Sequence, residues 1–129
     1  MIVVYPNSWD VPEKGLSLEY FAEKPWIWTT QNCPFYKQSI DYFLQQGIIP
    51  QRIMHVDDES LIGNLVQQDI GCSLLAEPIA RRFAEKNMLK IWEGIELHID
   101  LHFGYSKDKN SELALLEIGS IVDRIWKES

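Results

Sequence analysis

The sequence contains no long hydrophobic run. None of its apolar stretches approaches the roughly 20 residues that a helix needs to span a bilayer. Residues Met1 to Tyr5 lack the basic flank and the length of a secretory signal peptide. These absences predict a soluble, cytoplasmic protein that has no membrane as a partner.

Basic residues are also few, with 12 Lys and Arg against 19 Asp and Glu and a formal net charge of −7. Pairs such as Arg81-Arg82 stand alone, and no basic stripe with interleaved aromatic residues occurs. A molecule of this charge repels the phosphates of nucleic acids. We therefore expect no direct binding to DNA or RNA.

Motifs for catalysis and cofactor binding are absent from the chain. There is no Gly-x-Ser-x-Gly elbow, no Walker loop and no dinucleotide-type glycine-rich turn. The two cysteines, Cys33 and Cys72, form neither a Cys-x-x-Cys pair nor a zinc-ligand spacing. We predict two reduced thiols packed as small hydrophobic groups, no cofactor and no enzymatic activity.

One segment could hold a divalent metal. If Ile95 to Tyr105 is a strand, its alternation places His98, Asp100 and His102 on one face, and imidazole and carboxylate groups are metal ligands. The polar, solvent-facing side of a half-buried strand explains the same pattern, and we favour it over a metal site.

The order of the remaining segments predicts an α/β fold. With 129 residues, of which 46% are hydrophobic, the chain is long enough for one globular domain. Strand-like runs alternate with amphipathic segments of helical period, an order typical of a parallel or mixed sheet covered by helices. The predicted strands are Met1 to Tyr5, Trp26 to Thr30, Arg52 to Val56, Cys72 to Ala76, Met88 to Trp92 and Ile95 to Tyr105.

The predicted helices have recognisable starts and ends. Ser17 would cap a short helix, Pro34 would lie in the first turn of the next one, and a final helix would start at Ser111. Gly47 and Asn87 would end the helices that precede them. The helix from Pro34 would have an apolar stripe of Tyr36, Ile40, Phe43 and Leu44.

The segment from His55 to Pro78 has the clearest local pattern. Its apolar residues recur at helical spacing after a carboxylate cluster that suits a helix start. We predict that Gly71 ends this helix and that the following apolar run is a strand buried on both faces. The predicted apolar stripe comprises Leu61, Ile62, Leu65 and Val66.

Two loops have the position of a ligand site in such a sheet. Ligands of α/β proteins bind beside the carboxyl ends of strands and the starts of helices. The loop from Thr29 to Pro34 and the loop from Asp57 to Ser60 both follow predicted strands and precede predicted helices.

Three motifs resemble the effector-binding domain of LysR-type transcriptional regulators. They are Asn32-Cys-Pro-Phe-Tyr-Lys37, Gly47-Ile-Ile-Pro50 and Val66-Gln-Gln-Asp-Ile-Gly-Cys-Ser-Leu-Leu-Ala76. The chain departs from the family pattern at Asp69 and Ala76, where glycine and proline are usual. The resemblance implies a fold like the type II periplasmic binding proteins, in which an effector is held between two lobes.

The resemblance also implies a domain organisation. Residues 1–129 would form a single effector-binding-like domain that lacks the DNA-binding winged helix and part of the first lobe. Residues from about 6 to 77 would form a complete second lobe with a mixed, mainly parallel sheet. Residues 1–5 and 78–129 would be crossover strands and a remnant of the first lobe.

For the binding site, the resemblance assigns the second lobe's share of an effector pocket to six residues. A carboxylate effector would suit free N–H groups at the two helix starts. The acidic residues of the second loop could instead cap the helix and face solvent, which we favour. The six residues are Thr30, Gln31, Asn32, Cys33, Asp58 and Ser60.

Two functions remain open from the sequence. The favoured one is a small-molecule effector-sensing and oligomerisation module that does not itself bind DNA. The alternative is a protein-interaction half-domain that homodimerises or pairs with a full-length regulator. In the alternative, the missing half-lobe leaves apolar surface exposed on Ser111 to Lys127 and on the edges of the strands Met1 to Tyr5 and Ile95 to Tyr105.

Overall fold

Strands and helices alternate along the chain, as the sequence pattern predicts. The computed structural model describes residues 1–95, 97–100 and 112–128. The chain consists of two compact units, Met1–Ile99 and Asp100–Ser129. Within the described residues the elements are β1 (Ile2–Tyr5), α1 (Leu18–Ala22), β2 (Pro25–Trp28), α2 (Tyr36–Gln45), β3 (Gln51–His55), α3 (Glu59–Gln67), β4 (Ser73–Leu75), α4 (Glu77–Glu85), β5 (Lys90–Trp92) and α5 (Glu112–Glu128).

The strands of the first unit form a mixed sheet. β1 lies between β4 and β5 and is antiparallel to both, whereas β2 and β3 are parallel. A parallel bridge between Trp26 and Cys72 joins β2 to the segment that leads into β4. The resulting order is β3-β2-β4-β1-β5. The expectation that the strand at Met1 to Tyr5 has an uncovered edge is therefore wrong, because β1 has a neighbour on each side.

Helices cover both faces of the central strands, so β1, β2 and β4 are buried on two sides. Side chains of a strand alternate between the faces, and α1 and α2 cover one face while α3 and α4 cover the other. The first face is packed by Val3, Tyr5, Phe21, Trp26, Trp28, Phe43 and Leu74. The second face is packed by Ile2, Val4, Ile27, Ile62, Val66, Leu75 and Ala80.

The turn between α3 and β4 differs from the prediction. α3 ends at Gln67, and Asp69, with φ at +65°, takes the left-handed conformation that terminates many helices. Gly71 does not end the helix. A Cβ atom at residue 71 would lie 2.6 Å from the backbone oxygen of Pro25, so glycine is needed there for the close approach of β2 and β4.

Two helix stripes are only partly as predicted. In α3, Ile62 and Val66 are buried, but Leu61 is 48% exposed. In α2, Phe43 is buried, but Leu44 is 54% exposed.

The predicted helix caps are confirmed at three positions. Ser17 accepts the Tyr20 N–H at the start of α1, and Gly47 and Asn87 have positive φ after α2 and α4.

The strand predicted from Ile95 to Tyr105 is not present at residues 97–100, which have no regular secondary structure. Residue 96 and residues 101–105 lie outside the described residues. Leu97 is nevertheless buried against the first face of the sheet. Leu97 therefore packs on the core, although residues 97–100 form no strand pairing.

The second unit contains α5, which agrees with the final helix expected from Ser111. Several large apolar side chains of α5 are exposed, as expected for that face. They include Leu116, Ile118, Ile121, Ile125 and Trp126. Among the described residues, no helix has the length and apolar character required to cross a membrane.

Asp69→Gly is expected to stabilise the protein by about 0.5–1 kcal/mol, since glycine has no Cβ penalty in the left-handed region. The substitution also removes a negative charge near a helix C-terminus, where the helix dipole disfavours it. Asp69→Asn, which removes the charge alone, should stabilise less. Urea unfolding measures both, and a loss of stability in Asp69→Gly would contradict the conformation assigned to this turn.

Gly71→Ala is expected to destabilise the protein by about 1–3 kcal/mol, because the added methyl group meets backbone rather than a movable side chain. Gly119→Ala is a matched control, since a Cβ at that helical position meets no atom within 4 Å. Thermal unfolding compares the two variants. Equal melting temperatures for both variants would show that β2 and β4 do not approach as described.

Candidate functional site

The loops that follow β2 and β3 lie side by side at one edge of the sheet. The two strands are parallel, and the Val56 N–H donates to the Trp28 oxygen at 2.8 Å just beyond them. Farther along, the Thr30 hydroxyl donates a hydrogen bond to the Asp57 carboxylate. The two loops predicted from the sequence are thus joined by a direct side-chain contact.

Two backbone turns shape the first loop. The Cys33 N–H donates to the Thr30 oxygen and the Tyr36 N–H donates to the Cys33 oxygen, both at 3.0 Å. α2 begins only at Tyr36 and has no side-chain cap. The prediction that Pro34 lies in the first turn of the helix is therefore wrong, since these turns come first.

Exposure differs among the predicted residues of this first loop. Thr30 and Cys33 are half-buried, whereas Gln31 and Asn32 are exposed. Exposed amide side chains offer both hydrogen-bond donors and acceptors to a ligand. The loop therefore presents its most versatile polar groups to solvent.

The three acidic residues of the second loop each accept a hydrogen bond within the protein. Asp57 accepts from Thr30, and Asp58 caps α3 by accepting the Leu61 N–H at 2.8 Å. The half-buried Glu59 accepts the Ala76 N–H at 3.1 Å. Helix capping, favoured from the sequence, is confirmed for Asp58. The carboxylates thereby fix the loop and link it to the end of β4.

Ser60 has a different environment from the other predicted site residues. It is exposed in the first turn of α3 and lines a groove between α3 and α4. The structure therefore joins the two loops through Thr30 and Asp57, and it places Ser60 on the side of α3 that faces α4.

Two features of this edge were missed from the sequence. Asp57 was not among the predicted site residues, although it makes the contact between the loops. Trp28, the last residue of β2, is 2% exposed, and within the described part of the chain its indole N–H has no hydrogen-bond partner. The parallel order of β2 and β3 could have predicted the position of Asp57, because parallel strands bring the residues that follow them to the same edge of the sheet.

The cysteines are separate free thiols. Cys72 is fully buried beside β2, and its burial raises the pKa of the thiol well above its usual range. Cys33 is half-buried in the candidate loop. The reduced state predicted from the sequence agrees with this arrangement, and no pair of thiols is formed.

The metal hypothesis gains no support from the described residues, which contain no group of three or more His, Cys, Asp or Glu side chains placed to hold an ion. His98 and Asp100 do not lie on a strand. His102, the third residue of the hypothesis, lies outside the described residues.

Comparison with known proteins identifies the family. Residues 1–122 match the model of the LysR substrate binding domain. The chain belongs to this family, whose members are regulatory domains, and the resemblance seen in the three sequence motifs is confirmed. A search of curated proteins finds no match to this chain.

Two solved structures share the fold. The cofactor-binding domain of the Cbl transcriptional regulator is 23% identical, with a TM-score of 0.59 over 72% of this chain and 41% of that chain. The effector-binding domain of QuiR in complex with shikimate is 18% identical, with a TM-score of 0.59 over 78% of this chain and 46% of that chain. This chain thus spans less than half of either domain, and it has part of the predicted α/β, type II periplasmic-binding-protein-like fold.

Asp58→Ala is expected to cost about 1 kcal/mol of stability, because the Leu61 N–H at the start of α3 loses its acceptor. Asp58→Asn retains a capping oxygen and should lose less than half as much. Chemical unfolding measures the difference. Equal losses in the two variants would contradict the assigned cap.

Thiol labelling distinguishes the two cysteines. Cys33 should react with a chromogenic disulfide reagent in the folded protein, whereas Cys72 should react only after denaturation, since reaction requires an accessible thiolate. Cys33→Ser should abolish labelling of the native state. Rapid labelling of Cys72 in the folded protein would contradict its position in the core.

Proposed function

We propose that this chain is a small-molecule effector-sensing module of the LysR type that does not itself bind DNA and is not an enzyme. The supporting observation is the hydrogen bond from Thr30 to Asp57, which joins two loops at the carboxyl edge of parallel strands. Ligands of α/β sheets bind at such an edge. The net charge of −7 supports the absence of direct nucleic acid binding.

The proposed ligand contacts in the first loop are Thr30, Gln31, Asn32 and Cys33. The exposed amides of Gln31 and Asn32 can donate to an oxygen-rich effector such as a carboxylate. In the second loop, Asp58 and Ser60 are the proposed contacts. Because Asp58 is engaged as a helix cap, its contribution is to hold the loop, and because the Ser60 side chain faces α4, its contribution would come from its backbone N–H in the first turn of α3.

The class of effector follows from the charge of this edge. A carboxylate effector must approach Asp57 and Asp58, so its acidic group should face the amides of the first loop rather than the second loop. The QuiR domain was solved with shikimate, a hydroxylated carboxylate. Effectors that combine one carboxylate with hydroxyl or amino groups are therefore the first class to examine.

Ligand-dependent thermal stabilisation tests this proposal. A ligand at about 100 times its Kd adds about 2.7 kcal/mol to the stability of a protein that binds it only when folded. The panel contains shikimate, other hydroxylated carboxylates and amino acids. We expect at least one of them to raise the melting temperature.

Asn32→Ala and Thr30→Val should abolish that rise, whereas Gln38→Ala, an exposed position on α2, should leave it unchanged. The absence of any rise across the panel would contradict the proposal for this chain. A rise that survives both loop variants would place the ligand elsewhere.

A second candidate function is a protein-interaction module that forms a homodimer or pairs with a full-length regulator. Within the described residues, β3 pairs only with β2, and all five residues of β3 are exposed. Three large apolar side chains between the end of α2 and β3 are exposed as well, Leu44 at 54%, Ile49 at 76% and Ile53 at 54%. An open strand edge beside exposed apolar side chains favours association with another chain.

Light scattering tests this second candidate. The unmodified protein should have the mass of a dimer, and Ile53→Lys should shift it toward the monomer because a charge on the edge opposes strand pairing. Gln38→Lys adds the same charge on α2 and should leave the mass unchanged. A monomeric unmodified protein at high concentration would contradict homodimerisation.

A further inference from the structure

A groove of about 280 Å³ lies between α3 and α4, on the second face of the sheet. Its half-buried part is apolar and consists of Ile79, Phe83 and Met88. Exposed polar groups complete its lining, with Ser60 and Asn64 on α3, Arg82 on α4 and Lys86 at the C-cap of α4. The groove therefore combines an apolar base with a polar and basic opening.

Close helix packing positions the ring of Phe83 in this groove. A Cβ atom at Gly63 would lie 2.4 Å from Cζ of Phe83, so the ring packs directly against the backbone of α3. The apolar base is consequently fixed against α3, while its side chains come from α4 and from Met88 just beyond it. It is not a gap left between loosely packed elements.

The charges of the groove are not neutralised within the described residues. Arg82 and Lys86 are four residues apart, so they lie on the same side of α4 and repel each other. Neither forms an ion pair with a described residue, whereas the neighbouring Arg81 pairs with both Glu77 and Glu93. The two side chains therefore place two unpaired positive charges at one opening of the groove, in a chain whose net charge is −7.

We propose that this groove binds a small organic anion with an apolar body, such as a single-ring aromatic carboxylate. The carboxylate would lie between Arg82 and Lys86, where the arginine fork can bind both of its oxygens. The ring would pack on Phe83, with Asn64 supplying a further hydrogen-bond donor. The volume is close to the lower limit of about 300 Å³ for small-molecule pockets, which suits a single ring. This site goes beyond the effector pocket proposed at the two loops.

Titration of benzoate at low ionic strength, followed by ligand-observed NMR, tests the site. Acetate, which lacks the apolar body, should bind at least about tenfold more weakly. Benzylamine has the opposite charge and should not bind. Equal affinity for acetate and benzoate, or binding of benzylamine, would overturn the proposal.

Two double variants isolate the charge contribution. Arg82→Gln with Lys86→Gln should weaken benzoate binding by about fivefold or more, an effect within the range measured for two ion pairs. Lys14→Gln with Lys37→Gln removes the same net charge elsewhere and should change the affinity less than about twofold. Equal affinities in the two double variants would overturn the proposal.

Two single variants isolate the position. Asn64→Trp fills the groove from an exposed helical site and should abolish binding. Thr30→Val changes only the effector loops and should leave benzoate binding intact. If Thr30→Val abolishes binding and Asn64→Trp does not, benzoate occupies the effector loops and the groove proposal is wrong, while the proposed function survives.

Discussion

The structure of the first unit depends on the junction between β2 and β4. The Pro25 oxygen accepts the Cys72 N–H at 3.0 Å, and the Ile27 N–H donates to the Cys72 oxygen at 2.8 Å. These two bonds join a parallel pair of strands to an antiparallel trio, and they form only because Gly71 has no side chain at the point of closest approach. The buried Ser73 hydroxyl, which donates to the Ile27 oxygen at 2.6 Å, holds the same two strands together.

This junction also determines where the polar residues meet. Because β2, β3 and β4 run in the same direction, their carboxyl ends share one edge of the sheet. The contacts from Thr30 to Asp57 and from Glu59 to the Ala76 N–H follow from that alignment. The three segments that leave this edge are therefore coupled. The acidic residues of the second loop form the hydrogen bonds that join these segments. Their presence therefore does not by itself indicate a cationic ligand.

Local patterns in the sequence were sufficient for much of the fold. The alternation of strands and helices, the Ser17 cap and the glycine at residue 47 all depend on neighbours in the chain, and they are found as predicted. The family motifs identified the LysR class and its α/β fold. The two loops at the carboxyl edge followed from strand order alone, because parallel strands align the residues that come after them.

Features that depend on contacts between residues far apart in the sequence could not be derived in the same way. The burial of β1 between β4 and β5 depends on partners 69 to 89 positions away in the sequence. The role of Gly71 depends on the backbone of Pro25. Asp69 stands where the family usually has glycine, and it adopts the left-handed conformation that favours glycine. Ser60 was grouped with the loops because of its place in the chain, whereas the turn of α3 directs it toward α4.

In the proposed function, the loops after β2 and β3 act as one binding surface. Chemical-shift mapping tests this, with ¹⁵N-labelled protein and the ligand that stabilises it most. The amides of Gln31 to Cys33 and of Asp57 to Ser60 should shift together, with a single saturation curve. Shifts confined to one loop, or found only away from both loops, would contradict it.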